Sequence, residues 1–319
     1  MNTEIARPER STPQKQFSPR IGTVTVTYNS AAVLGPFLRC VFAQDLADFI
    51  LYAIDNHSTD NSAAILEQHS DSRLKVLLNS TNEGVAEGNN RGIRAALEDG
   101  CETVLLLNND TEFPADLFRS LYEGMMKYET SMATGKMLYF SPTNTIWCAG
   151  GWLDPNRFYN ALHYGMGDED NGQFDKPRQI TYSPTCLLMV KREVFESVGL
   201  MDSRYFVYND DVDFLYRCMK NNKTLWYLPQ AVLHHKVSAL TGGDESDFAI
   251  RFMTRNRAYF VRKHLSQWKT LLWATHFMLI TAPGRVLFGK DSIRTWWLRC
   301  ASVIEGWRMA GHGDSAIAR

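Results

Sequence analysis

No cysteine of this 319-residue chain has a partner in a C-x-x-C spacing: Cys40, Cys101, Cys148, Cys186, Cys218 and Cys300 stand singly. That argues against a cysteine zinc site or a disulfide framework and fits a reducing compartment. Net charge is also scarce, -1 from 34 basic and 35 acidic residues, so no global field gathers nucleic acid. No apolar run reaches the ~20 residues of a membrane-spanning helix. The nearest is 271–282 (LLWATHFMLITA), with Trp268, Trp273, Lys269 and Arg285 around it and Arg262, Lys263 and His264 before it. Such a helix either lies on anionic lipid or packs on its own domain or a partner subunit. Residues 1–20 (MNTEIARPERSTPQKQFSPR) lack an apolar h-region and read as a disordered lead-in, giving a cytosolic start.

What is present is a βαβ pattern. The runs IGTVTVTYN, FILYAIDN, RLKVLLN and ETVLLLNND end in turn residues and predict four strands, with helices near 31–44, 60–69 and 84–98 between them. Asp60 or Asn61 is placed to cap the second helix, and Asn82 or Gly84 opens the third. Residues 131–240 predict a mixed sheet with helices over 191–198 and from about Asp210; beyond 244 the chain reads as helical and basic-aromatic. The first strand is followed by no G-x-G-x-x-G and no G-x-x-x-x-G-K-[ST], which argues against a dehydrogenase-type dinucleotide site and a P-loop.

In an open α/β sheet, ligands bind beyond the carboxyl ends of the strands. There stand Thr27, Tyr28 and Asn29, then Asp55 and Asn56, then Asn108, Asn109 and Asp110. A carboxylate at a strand end can hold Mg²⁺ or Mn²⁺ beside substrate phosphates, although a lone one more often caps a helix or turns the chain. Asp210, Asp211 and Asp213 open a predicted helix, where acidic side chains favour the dipole but repel each other. At helical spacing Asp210 and Asp213 share a face while Asp211 points elsewhere. His234 and His235 end an apolar run ahead of Lys236, Ser238 and a Thr-Gly-Gly loop, a setting that suits phosphate, and either imidazole can join Asp110 at a metal.

Six segments in order, VTVTYNS, AIDNHSTDNS, NEGVAEGNNRGI, LLLNNDT, KREVFESVGLMDSRYFVYNDDVDFLYR and HHKVS, resemble family 2 glycosyltransferases of GT-A fold, particularly the bacterial rhamnosyltransferase-like branch. The resemblance runs from 23 to about 263. It implies an α/β fold with a nucleotide-sugar-binding half (21–130), an acceptor and catalytic half (131–243) and a C-terminal helical segment (244–319). Thr27 and Asp55 would lie against base and ribose, shaped by Tyr28 and Asn29, with Asn82, Gly84 and Asn90 beside the nucleotide. Asn109 and Asp110 would stand at the donor, Asp110 holding Mg²⁺ or Mn²⁺ as the last residue of a D-x-D-like element in which Asn108 replaces the first aspartate. His235 aligns with the family's metal-binding histidine better than His234. Asp211 matches the catalytic base, although Asn209-Asp210-Asp211 departs from the usual Glu-Asp pair and leaves Asp210 in contention. Arg255 would approach the diphosphate.

The activity implied is inverting, metal-dependent transfer of a sugar, L-rhamnose from a dTDP donor by branch resemblance, to a lipid-linked or polysaccharide acceptor. It would occur at the cytoplasmic, inner face of the cell membrane with peripheral membrane contact; a homo-oligomer is left open. UDP-linked hexose or galactofuranose is the alternative donor. A nucleotidyltransferase would need a glycine-rich basic loop that VTVTYNSAAVL lacks, and a non-catalytic scaffold would not need Asp110, Asp211 and His235 intact.

Overall fold

The computed structural model describes residues 21–236 and 246–309. The lead-in and the Ser238 and Thr-Gly-Gly stretch lie outside them. The four apolar runs form β1 (Ile21–Thr27), β2 (Phe49–Asp55), β3 (Leu74–Leu78) and β4 (Thr103–Leu107), joined through α1 (Ala31–Phe42), α2 (Ser62–Glu67) and α3 (Gly84–Glu98). Helical crossovers of this kind give parallel pairing. β1 runs beside β2 from Ile21 opposite Phe49 to Thr27 opposite Asp55, and on its other edge beside β4. The chain therefore reverses its direction of winding between β1 and β4, which opens a crevice beyond their carboxyl ends. One carboxylate braces the entrance: Asp60 accepts from the first backbone N–H of α1 at Ala31 and the first of α2 at Ser62.

After β4 come β5 (Thr111–Glu112), α4 (Leu117–Lys127), β6 (Met132–Tyr139), β7 (Ile146–Cys148), β8 (Gly151–Asp154), β9 (Asn160–His163), β10 (Arg178–Ile180), β11 (Leu187–Lys191), α5 (Arg192–Val198), α6 (Asp210–Lys220) and β12 (Leu225–His235). β11 enters antiparallel between β4 and β6, so the sheet becomes mixed in the order β10-β12-β6-β11-β4-β1-β2-β3 and continues across residue 130 without a break. Helices cover both faces, which is why β4 reads as an uninterrupted apolar run. Val104 and Leu106 face a layer containing Ile93, Phe214 and Phe260; Leu105 and Leu107 face Phe37, Leu121 and Phe118.

The C-terminal segment is α7 (Asp247–His264), then α8 (Gln267–His276), which continues through a π-helical turn (Phe277–Thr281) into α9 (Ala282–Leu287), and finally α10 (Ile293–Met309). α10 crosses α7 so closely at Gly306 that a methyl there would overlap the Arg255 carbonyl. The apolar run 271–282 and its neighbour Thr270 pack on the domain by one face only. Thr270 and Trp273 are buried against the domain, whereas Leu271, Leu272, Leu279 and Ile280 are exposed. Among the described residues no helix is long and apolar enough to cross a membrane.

Candidate active site

Asp110 and His235 are far apart in sequence and are brought together by the two-residue strand β5. Thr111 pairs with His235 and Glu112 with His234, and the Lys236 N–H donates to the Asp110 carbonyl at 2.9 Å. Side chains alternate along a strand, so His235 turns inward and His234 to the opposite face, away from Asp110. His234 is thereby separated from the site in which either histidine was expected. The His235 Nε2 stands 3.1 Å from Asp110 Oδ1, both side chains being buried. Asp110 Oδ1 makes no hydrogen bond of regular geometry, and the His235 nitrogen is its close polar neighbour.

A divalent ion would fit between these two side chains. Two cis ligands each about 2.1 Å from an octahedral ion are separated by about 3 Å, which matches this oxygen and nitrogen. Carboxylate and imidazole together suit Mn²⁺, or Mg²⁺ with water. Among the described residues no three His, Cys, Asp or Glu side chains gather at one point, so the remaining ligands would be phosphate oxygens and water. Burial alone would depress the His235 imidazole, but neighbouring Cys186 and Asp110 outweigh it and raise it to about 10.

At the mouth of the crevice Tyr28 is exposed, its ring open to a stacking partner. Behind it the polar side chains hold one another. The Thr27 hydroxyl lies 3.1 Å from the Ile54 carbonyl and 3.2 Å from Asp55 Oδ1, while Asp55 Oδ2 accepts from the Ser58 N–H at 2.9 Å. Asn29, at φ 50°, accepts from the Thr59 N–H at 2.8 Å. Asn56 is the hub: it donates to Asn82 and to the Gly84 carbonyl, and accepts from Asn79 and the Glu83 N–H. Asn82 also accepts from the Gly84 N–H at 3.0 Å, so the turn into α3 is built before any ligand arrives. Gly84 sits at φ 83° with the Phe206 carbonyl where a β-carbon would go.

Two expected donor contacts have other duties. The Asn90 amide is satisfied by the Met201 backbone, donating to its carbonyl and accepting from its N–H at 2.9 Å each, and so clamps α3 to the loop after α5. Asn109 is buried and donates to the Val26 carbonyl at 2.9 Å, bracing β1 against the end of β4.

The acidic trio separates differently from the helical-wheel expectation. Asp213 is fully buried in a structural network: Oδ1 accepts from Lys263 (2.7 Å), His264 (2.6 Å) and Tyr205 (3.1 Å), and Oδ2 from Arg217 (2.8 Å). Burial would raise its carboxyl, but the His264 hydrogen bond and the cations Arg217 and Lys263 outweigh that and hold it far below the usual range. Asp210 does not share this environment, and its strongest carboxylate neighbour is Asp211. Its Oδ2 is buried without a hydrogen bond, and burial together with the Asp211 charge pushes it up to about 8. Asp211 is partly exposed; it accepts from Tyr182 Oη and from the Val212 N–H, both at 2.7 Å, which partly offsets the upward push of burial.

A carboxyl whose folded pKa lies above the unfolded value near 3.8 makes the folded state bind more protons. Stability then falls as pH rises from about 4 toward 8. Asp210→Asn is therefore expected to raise the melting temperature more at pH 8 than at pH 5; equal gains at both would remove this assignment.

Three of the four residues ahead of α6 are left-handed without being glycine: Phe206 (φ 64°), Tyr208 (φ 65°) and Asn209 (φ 63°). Strain of this kind persists only where the surroundings fix it. Here Asn256 of α7, fully buried, lies 2.7–2.8 Å from the carbonyls of Tyr205, Val207 and Tyr208. Arg255 donates to the Tyr205 carbonyl at 2.8 Å and to Asn256 at 2.8 Å. In this geometry Arg255 secures the loop that carries the acidic pair instead of reaching for diphosphate.

Sequence reading missed the side chains that join the metal pair to Asp211. The ring of Trp147 meets that of His235 at 4.5 Å and that of His163 at 5.3 Å, and His163 stacks on Tyr182 at 5.6 Å. Tyr182 Oη then reaches Asp211. These residues sit on short, irregular segments with no repeating pattern that would mark them in the sequence.

Residues 23–199, covering β1 to the end of α5, match the sequence model of Glycosyl transferase family 2. The chain belongs to that family. Its membership makes the chain a glycosyltransferase. Over 306 residues the family 2 enzyme is 26% identical to the N-acetylglucosaminyl-diphospho-decaprenol L-rhamnosyltransferase of Mycobacterium tuberculosis, covering 89% of this chain and 97% of that one. It is 25% identical to the low-salt glycan biosynthesis hexosyltransferase Agl10 of Haloferax volcanii, over 77% of this chain and 78% of the relative. In fold it resembles the mannosyltransferase PcManGT of Pyrobaculum calidifontis, solved with GDP-Man and Mn²⁺: TM-score 0.54, 15% identity, 98% of this chain and 81% of that chain. These relations identify a glycosyltransferase of GT-A-like fold.

Proposed function

We propose that this glycosyltransferase moves L-rhamnose from a dTDP donor to a hydroxyl of a lipid-linked or polysaccharide acceptor, with inversion. The observation that carries the reading is the buried Asp110 carboxylate 3.1 Å from His235 Nε2, joined through Trp147, His163 and Tyr182 to the Asp210–Asp211 pair. Asp110 and His235 would hold a divalent ion, which neutralises charge building on the departing diphosphate. Tyr28 would cover the base, and the Asn56-centred turn would fix the nucleotide's position. Asp211 accepts the acceptor's proton as its oxygen bonds to the anomeric carbon and the bond to the diphosphate oxygen breaks. A single displacement from the opposite face inverts the configuration, and no protein nucleophile takes part.

Rhamnose is supported by the M. tuberculosis relative, whose name also gives its acceptor a decaprenol diphosphate. Transfer assays with dTDP-rhamnose and UDP-hexoses, with Mg²⁺ or Mn²⁺, test the donor. Transfer from a UDP-sugar alone would replace rhamnose, and neither transfer nor slow hydrolysis from any donor would remove the reading.

The exposed Trp268, Leu271, Leu272, Leu279, Ile280, Leu287 and Phe288, with Lys269, Arg285 and Lys290 among them, would lie on anionic lipid at the inner face of the cell membrane. The protein is expected to sediment with anionic vesicles and Leu279→Glu/Ile280→Glu to abolish that. A wild type that stays unbound, or elutes as a dimer that the double variant splits, would assign the face to a second subunit.

A further inference from the structure

Two adjacent carboxyls at the start of α6 raise the question of which one is kept free to take a proton, and the hydrogen bonds around them are unequal. We propose that Tyr182 is a positioning residue for the proton acceptor: by donating to Asp211 and not to Asp210, it leaves the pair's proton on Asp210 and Asp211 ready to act. This rests on Asp211 as base.

Tyr182 is well held for such a task. Its backbone N–H donates to the Gly151 carbonyl at 3.2 Å, forming a bridge to β8, and its ring lies on His163 with planes 27° apart. His163 Nδ1 stands 3.2 Å from the Trp147 carbonyl, and burial lowers its pKa, so a neutral imidazole backs the phenol. The phenol keeps its proton, because burial and the Asp211 charge raise its pKa well above the usual value. That proton is the one aimed at Asp211 Oδ2 at 2.7 Å, while the Val212 N–H serves Oδ1. Asp210, on the same turn, has an Oδ2 that nothing meets.

A hydrogen bond to the ionised form stabilises that form, and two like charges side by side do not both persist. The proton therefore settles on the carboxyl with fewer donors. Besides Tyr182 and Asp210, the Cys148 thiol at the end of β7 faces Asp211, and burial keeps it protonated. Asp213, one turn along, is committed to its cations and acts more on Asp210 than on Asp211. The resulting arrangement has one anion and one neutral acid, set apart by which side chain Tyr182 touches. Because the pair titrates jointly, the observable is its lower apparent ionisation, seen as the acid limb of the rate profile.

The test is the pH dependence of kcat/KM for the full chain with metal and a turned-over donor, in wild type, Tyr182→Phe, Asp210→Asn, Tyr182→Phe/Asp210→Asn and Asp211→Asn. Tyr182→Phe should move the acid limb up by about one pH unit, so that activity at the foot of the limb falls roughly tenfold while the plateau falls less. Asp210→Asn, which keeps a neutral side chain beside Asp211, should leave the limb in place, and the double variant should show the shift of Tyr182→Phe. Metal-dependent nucleotide binding by Tyr182→Phe checks that it folds; if it does not, the Asp210→Asn limb decides alone. An acid limb unmoved by Tyr182→Phe, or moved down by Asp210→Asn, overturns the proposal while Asp211→Asn is inactive. If Asp211→Asn turns over normally, the base assignment itself falls and this inference with it.

Discussion

Asp211→Asn is expected to lower turnover by ~10²–10⁴-fold, the range that a positioned general base contributes, with nucleotide affinity nearly unchanged. The argument is geometric. Asp211 is the partly exposed member of the trio, oriented by Tyr182 Oη and the Val212 N–H, so an asparagine fits its place yet cannot take a proton. Asp213→Asn would also lose activity, for a different reason, since it disturbs the Lys263, His264 and Arg217 network and with it the fold. Thermal melts separate the two. Asp211→Asn should melt close to wild type, and turnover near the wild-type rate in that variant would transfer the role of base to Asp210.

Asp110→Asn should cost metal-dependent donor affinity at least about 100-fold, because even outer partners of metal ligands are worth 10–100-fold and Asp110 is one of the two side chains proposed to hold the ion. His235→Gln should do the same. The residual affinity of both should equal that of wild type in chelator. Asp110→Ala would lose the same affinity but also leave a void beside a buried imidazole, so asparagine is the cleaner substitution. Undiminished affinity in Asp110→Asn would take it out of the metal site.

Much of the fold was legible because local patterns agree with it. The helix expected over 84–98 spans Gly84–Glu98, and each of the four apolar runs became a parallel strand. These elements are specified by periodicity and by turn residues at their ends. The site was legible only as residue types. Asp110 and His235 meet through a two-residue strand too short to leave a periodic signal. Asn90 stood beside the nucleotide only by family resemblance, and the Met201 carbonyl and N–H in the loop after α5 satisfy it instead. Helical spacing grouped Asp210 with Asp213, and tertiary contacts overrode it, since Lys263 and His264 arrive from α7. Tyr182, His163 and Trp147 carry no motif, and their association arises from the packing of three separate irregular segments. Asn256, the side chain that secures the strained loop before α6, is likewise visible only once α7 has docked.

The central claim is a metal-dependent nucleotide-sugar site built on Asp110 and His235, and calorimetry of the purified protein with dTDP and UDP, each with Mn²⁺ and with chelator, tests it most directly. The account predicts that dTDP binds with Mn²⁺, that chelator removes most of that affinity, and that Asp110→Asn binds as weakly with Mn²⁺ as wild type does without it. Binding of neither nucleotide, or binding indifferent to chelator, would contradict it.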